Sequence, residues 1–234
     1  MKSKAKTKGQ NEVCPKCEGR GYVDTDTGVV PCECLVEQQL QAKYRAARIP
    51  PRFLNKSLDN FQAVTAEHKH IVTFAKQFLK TFRSVAPDQP AKGLLLMGRE
   101  GCGKTHIAVA ILREIIRKGY SGLYWNVPEL FLELRRTMNE QSDETEADLF
   151  DEAREVDLLV LDDLGAEKTS EYVTDRLYVL INGRYEYDKA TLVTTNRSLK
   201  ELQQQVGPRI VSRLCEMCVP IEFPPEDYRM RHLR

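Results

Sequence analysis

Residues Gly98-Arg-Glu-Gly-Cys-Gly-Lys-Thr105 limit what this chain can fold into more than any other stretch. The pattern G-x-x-x-x-G-K-[ST] follows an apolar run, Gly93-Leu-Leu-Leu-Met97, and opens an amphipathic stretch that extends to about Arg117. A strand buried on both faces, a glycine-rich turn and then a helix is the layout in which backbone N–H groups close around a phosphate. On this reading Gly98, Gly101, Cys102 and Gly103 shape the loop, and Lys104 brings its charge to the β- and γ-phosphates of ATP. The Thr105 hydroxyl would ligate Mg²⁺. Cys102 lies beside a helix N-terminus, where a thiol pKa tends to fall, and is read as either a redox-sensitive group or a small residue filling the loop.

Such a loop needs a parallel sheet beneath it. From about residue 66 the chain alternates helical and strand patterns, which predicts an α/β core with a parallel sheet flanked by helices. Ile71, Phe74, Ala75, Phe78 and Phe82 share one helical face, and further helices are expected over Glu129–Met138, Glu171–Tyr187 and Pro208–Met217. Strands are expected at Leu123–Asn126, Asp157–Asp162 and Ala190–Thr195, with Ser198 and Glu201 forming a capping box for the helix that follows. Nine acids between Glu140 and Asp157 face one basic residue, Arg154, so that stretch reads as a solvated loop and a short amphipathic helix. The apolar runs, such as Leu158–Leu161, are far shorter than the ~20 residues needed to span a bilayer. The first ten residues are Lys-rich with no apolar stretch after them, unlike a secretory signal, so the expectation is a cytoplasmic protein. The net charge of +1 excludes a strongly basic nucleic-acid coat.

The run Leu158-Leu-Val-Leu161 ends in Asp162 and Asp163, an acid pair at the end of a buried strand. Asp162 is expected to hold the magnesium and Asp163 to polarise the attacking water, the alternative being that both merely open the next loop. Asn196, after Thr194-Thr195 at the end of the next strand, places an amide where it can orient that water, or else serves as a turn residue. Arg209 and Arg213 lie four apart on one helical face and read as surface arginines or as a finger reaching a neighbour's γ-phosphate.

Cys14, Cys17, Cys32 and Cys34 give C-x2-C, fourteen residues, then C-x-C. Four thiolates on two knuckles satisfy a tetrahedral Zn²⁺, and Gly19 and Gly21 suit the tight turn that a knuckle needs. A dithiol redox site and unliganded thiols are the alternatives. Cys215 and Cys218 have no partner pair and are expected to pack.

The stretches IPPRF (49–53), GREGCGKTH (98–106), VDLLVLDDLG (156–165), INGRYEYDKATLVTTN (181–196) and GPRIVSRLCEMC (207–218) together resemble the AAA+ ATPases of the bacterial helicase-loader family, DnaC/DnaI type, and the related IstB helpers of insertion-sequence transposases. The resemblance runs from about Arg48 to Tyr228 and implies a P-loop AAA+ core without a helical lid, since only 38 residues follow Asn196. It implies that Asn196 senses the γ-phosphate, that His106 belongs to the nucleotide loop and that Arg213 is the finger. Asp163 stands where many AAA+ proteins carry glutamate, which shortens the reach to water and implies a slow ATPase stimulated by DNA or a partner. The implied organisation is a disordered basic arm (1–10), a zinc-binding module and helix that binds the partner (11–48), a linker (49–65) and the ATPase domain (66–234). The implied function is ATP-dependent loading of a hexameric replicative helicase onto DNA, with self-association on ATP or DNA and single-stranded DNA met by Arg135 and Arg136. The alternatives are an ATP-binding transposase helper and a nucleotide-gated adaptor with weak ATPase.

Overall fold

Apolar runs that end in charged or polar residues can be buried only as neighbours in one sheet whose polar ends meet along one edge. The computed structural model describes residues 13–82, 93–137, 145–167 and 170–228. The basic arm, Met138 and the acids Glu140, Asp143 and Glu144 lie outside the described residues.

The chain parts into two compact units between Lys43 and Tyr44. The first holds an antiparallel hairpin of β1 (Tyr22–Thr25) and β2 (Gly28–Pro31), followed by helix α1 (Glu33–Ala46), in which the division falls. The hairpin buries little of its own surface, with Tyr22, Val29 and Val30 exposed, so two strands of this length cannot hold by packing alone.

In the second unit β3 (Gly93–Met97), β4 (Gly122–Asn126), β5 (Leu158–Asp162), β6 (Ala190–Thr195) and β7 (Cys218–Glu222) form one parallel sheet in the order β4-β5-β6-β3-β7. The connecting helices are α2 (Ala66–Thr81), α3 (Lys104–Arg117), α4 (Val127–Arg136), α5 (Glu146–Glu155), α6 (Glu171–Glu186), α7 (Leu199–Val206) and α8 (Pro208–Met217). Alternate strand residues Leu95, Leu123, Trp125, Leu159, Leu161 and Val193 share one core with Leu134 of α4, Leu149 of α5, Leu177 and Ile181 of α6, Leu202 of α7 and Leu214 of α8. By the period of two, Tyr124, Asp162 and Thr194 point to the other face, where α3 crosses β3 to β6. The register sets Asn126 opposite Asp162 and Met97 between Thr195 and Glu222, so the C-terminal ends of all five strands align. Ligands of open parallel sheets bind at that edge, between neighbouring strands whose onward connections run in opposite directions, here β3, which leads to β4, and β6, which leads to β7.

Some elements differ from the sequence reading. Helix α4 starts two residues before Glu129, because extended Asn126 is its N-cap and Pro128 suits the first turn. Strand β7 follows α8 directly; Pro220 and a face on which only Cys218 is buried while Pro220 and Glu222 are exposed conceal it in the sequence. Of the second cysteine pair only Cys218 packs, donating to the Thr191 carbonyl, and Cys215 is exposed. The expected linker 49–65 is seated on the second unit: Ile49, Leu58 and Phe61 are buried, and His106 meets the Ser57 carbonyl at 2.8 Å. No helix among the described residues is long and apolar enough to cross a membrane, and after Asn196 they contain no helix beyond α7 and α8.

At the end of α6 the guanidinium of Arg184 is fully buried. It donates to Thr191 Oγ1 at 2.9 Å and to the carbonyls of Ala153, Arg154 and Val156 at 2.8, 3.0 and 3.1 Å, and also to that of Ala190. Burial draws its pKa down to about 9, which leaves it charged at neutral pH. One side chain thus closes the end of α5 and the start of β6. Arg184→Met, which keeps the bulk and strands these carbonyls, is expected to cost ~3 kcal/mol in urea denaturation. A loss within ~0.5 kcal/mol would mean that the carbonyls find other donors.

Candidate nucleotide and metal sites

Three hydroxyls converge on the Asp162 carboxylate. Thr105 at the start of α3 donates to Oδ1 at 2.9 Å, Thr194 at the end of β6 donates to Oδ1 at 2.7 Å, and Tyr124 in β4 donates to Oδ2 at 2.7 Å. Asp162 is 3% exposed, and burying a carboxylate is costly unless such donors satisfy its oxygens. Burial and the Asp162 charge both push the Tyr124 phenol up, so it remains a donor.

Thr194 also accepts the Asp163 backbone N–H at 3.0 Å, and its carbonyl accepts the Leu164 N–H at 2.9 Å. These bonds hold Asp163 in the left-handed region, φ 60°. An aspartate adopts that conformation more readily than most residues. The kink takes Asp163 out of the strand's alternation, so that two successive acids serve one site.

The glycine-rich loop closes the other side. Gly101 and Gly103 have φ of 77° and 99°, and a Cβ on Gly103 would lie 2.6 Å from the Phe61 ring. Gly103 caps α3 without a side chain, leaving the first-turn N–H groups to an anion. The Lys104 ammonium is folded back on the carbonyls of Gly98 and Arg99 at 2.8 and 2.7 Å. Between loop and acids runs a cleft of about 280 Å³, lined by Arg52, Phe53, Lys56, Glu100, Gly101, Gly103, Lys104, Thr105, His106, Asp163 and Asn196. Burial keeps the His106 imidazole below its ordinary pKa, hence neutral at pH 7.

Of the residues singled out in the sequence, Gly101, Gly103, Lys104, Thr105, His106, Asp163 and Asn196 line this cleft. Gly98 and Cys102 lie behind it: a Cβ on Gly98 would lie 2.9 Å from that of Phe223, and Cys102 is fully buried with its sulfur 3.6 Å from Lys104 Nζ. The expectation of a lowered Cys102 pKa is corrected, since burial raises it against the pull of Lys104. Asp162 lies beneath the cleft, behind Thr105. Arg209 and Arg213 do not line it. Arg135 and Arg136 are exposed on the last turn of α4, and Arg136 pairs with Glu133 at 2.9 Å. Sequence reasoning missed Tyr124, the double role of Thr194, and the wall of Arg52, Phe53 and Lys56; only the IPPRF motif signalled part of that wall.

The chemistry of this set fits a magnesium nucleotide: a charged amine and free helix N–H groups for phosphate, and a threonine hydroxyl beside a carboxylate for a hard cation. Lys104→Ala is expected to lower affinity for a fluorescent ATP analogue at least ~30-fold with the circular dichroism unchanged, by loss of its charge at the phosphates. Retained affinity would overturn the site.

In the first unit the sulfurs of Cys14, Cys17, Cys32 and Cys34 all lie within 4.8 Å of one another. Cys14 and Cys32 are 3.8 Å apart, Cys17 and Cys34 3.4 Å. A tetrahedral zinc with Zn–S of ~2.3 Å sets sulfurs ~3.8 Å apart, so the cluster fits that ion. Gly19 and Gly21, at φ 83° and 78°, form the knuckle, and the Gly21 N–H points at Cys17 Sγ, 3.4 Å away. Burial opposes the Cys17 thiolate, but these N–H groups and neighbouring thiols hold it down to about 7, whereas the Cys17 and Cys32 sulfurs push Cys34 up to about 12. Four thiolates this close need a cation to ionise together. Protein purified without chelator is expected to carry one zinc per chain by elemental analysis, and Cys14→Ser with Cys17→Ser to carry none. A metal-free wild type with an ordered hairpin would refute the zinc site.

Comparison with known proteins agrees with this geometry. The family model described as "IstB-like ATP binding protein" matches residues 32–234. The chain is 25% identical over 176 residues to the replicative helicase loader DnaC of Escherichia coli (strain K12), covering 75% of this chain and 69% of that protein. It is 26% identical over 220 residues to the replicative helicase loader DnaI of Bacillus subtilis (strain 168), covering 84% of this chain and 68% of that one. A crystal structure of the DnaC helicase loader superposes with a TM-score of 0.66 at 28% identity, covering 75% of this chain and all of the other.

Proposed function

The chain belongs to the family of IstB-like ATP-binding proteins, and on that premise we propose that it is a slow ATPase that loads a hexameric replicative helicase onto DNA. The observation that carries this reading is the cleft in which Lys104, Thr105, Asp163 and Asn196 face one another, in a chain similar to two named helicase loaders. Lys104 and the first-turn N–H groups of α3 bind the phosphates, with Thr105 and Asp162 as the residues that would hold the magnesium. Bound magnesium supplies charge neutralisation on the phosphate oxygens. Asp163 takes the proton of the attacking water, and the Asn196 amide orients that water toward the γ-phosphate. An aspartate reaches one methylene less far than a glutamate, which keeps turnover low until a partner tightens the cleft. Arg213, absent from its own cleft, acts on the nucleotide of a neighbouring copy.

ATP binding thus favours self-association on DNA, and hydrolysis releases it. The zinc-binding unit is the helicase-docking element, because nucleotide chemistry makes no use of it. Exposed Arg135 and Arg136 contact single-stranded DNA through phosphates, which makes binding salt-sensitive. A second reading, an ATP-binding helper of a transposase, is favoured by the description of the matched family.

The test is assembly with the hexameric replicative helicase of the same cell. With ATP a stable complex is expected by size-exclusion chromatography, and helicase transfer to forked DNA is expected to rise about tenfold or more, the range of a coupled binding step. Asp163→Asn is expected to form the complex but not to turn over ATP. No complex in any nucleotide state would contradict the loader reading.

A further inference from the structure

Arg213 has two aromatic rings and an amide around it, all from α6. Its Nε donates to Asn182 Oδ1 at 2.6 Å and its Nη2 to the Tyr178 hydroxyl at 3.0 Å. The guanidinium carbon lies 4.8 Å from the Tyr178 ring centroid and 5.6 Å from that of Tyr185. The Tyr185 ring is itself fixed, its hydroxyl donating to Glu216 Oε1 at 2.8 Å. Residues 178, 182 and 185 follow the i, i+4, i+7 spacing of one helical face, so the cradle is built into a single helix.

Among the described residues Arg213's polar partners are an amide oxygen, a phenol oxygen and the Arg209 carbonyl, the last at 3.5 Å. All are neutral. An arginine that served to tie two helices by charge would meet a carboxylate, which would cancel the field it offers to anything else. Neutral acceptors and ring faces fix the direction of the guanidinium while leaving its charge for an incoming anion. Beside the cradle on the same helix Val179, three residues before Asn182, is 45% exposed. A second copy of this chain, bringing its own triphosphate, supplies an anion for the arginine.

We propose that Tyr178, Asn182 and Tyr185 form a positioning seat that aims Arg213 at the nucleotide held by a neighbouring copy. The proposal rests on the reading of Arg213 given above and adds the residues that make it effective. They touch no substrate; they act through the arginine alone.

The experiment separates seat from finger by mixing two full-length proteins. Lys104→Ala keeps the finger without a working nucleotide loop, and Arg213→Ala keeps the loop without the finger, so turnover in the mixture requires the finger of one in the site of the other. Tyr178→Phe and Asn182→Ala are then added to the Lys104→Ala chain, singly and together, with melting temperature and nucleotide affinity followed alongside turnover. Tyr178→Phe keeps the ring and guards against a packing defect. Together they are expected to lower kcat of the mixture about tenfold, the scale of losing orientation at a reacting group, with KM for ATP unchanged. The fall is confined to the mixture in which the altered seat holds an arginine. An equal fall when the same substitutions sit on the Arg213→Ala chain would assign these residues to packing, and no fall at all would overturn the seat. A parent mixture that gains no turnover over its separate components would refute the finger itself, and the seat with it.

Discussion

One buried carboxylate sets the terms for the rest of this structure. Asp162 accepts hydrogen bonds from hydroxyls on α3, β4 and β6, so the elements that carry Thr105, Tyr124 and Thr194 must arrive at one point. A buried anion with a missing donor is costly, and this makes the register of the strands a condition for the charge and not a by-product of packing. The same convergence puts the start of α3, and so Lys104 and the glycine-rich loop, against the acid pair. Thr194 extends the control by one residue: by accepting the Asp163 N–H it turns the second acid into the cleft.

The sheet is anchored in opposite senses at its two ends. At the start of β6 the Arg184 cation gathers carbonyls from the end of α5 and from Ala190; at the end of β6, Thr194 and Thr195 serve the acid side. Between these lies an apolar interior of leucine and valine, where little but shape specifies the pairing. Along the cleft wall Arg52, Phe53 and Lys56 come from a segment docked through Leu58, Phe61 and the Ser57–His106 contact.

The parts of the site that were legible in the sequence are those whose chemistry demands close spacing along the chain. The glycines and Lys104-Thr105 lie within eight residues, the acid pair is adjacent, and the four clustered cysteines come in two short pairs. The parallel sheet was legible because four of its strands are short, largely apolar runs, three of them ending in polar residues. Tyr124 was not, because nothing local marks it; it reaches Asp162 only because β4 pairs with β5 in the register that sets Asn126 opposite Asp162. Nor was β7, whose proline and exposed Glu222 imitate a turn, or the β1–β2 hairpin, which is too short and too exposed to leave a pattern. Cys102 illustrates the opposite failure: its place beside a helix N-terminus suggested a lowered pKa, but its burial, which sequence cannot count, raises it.

If the Thr105–Asp162 contact is where the fold becomes a nucleotide switch, these are the residues that would hold the magnesium accompanying bound ATP, and they must act as a pair only when the metal is present. A double-mutant cycle of Thr105→Val and Asp162→Asn, read as equilibrium affinity for a non-hydrolysable ATP analogue with magnesium and again with EDTA, measures this directly. With magnesium each single change is expected to weaken binding about tenfold and the double change to add little more; with EDTA neither is expected to matter beyond about twofold. Equal losses in both conditions, or losses that simply multiply with magnesium present, would contradict the account.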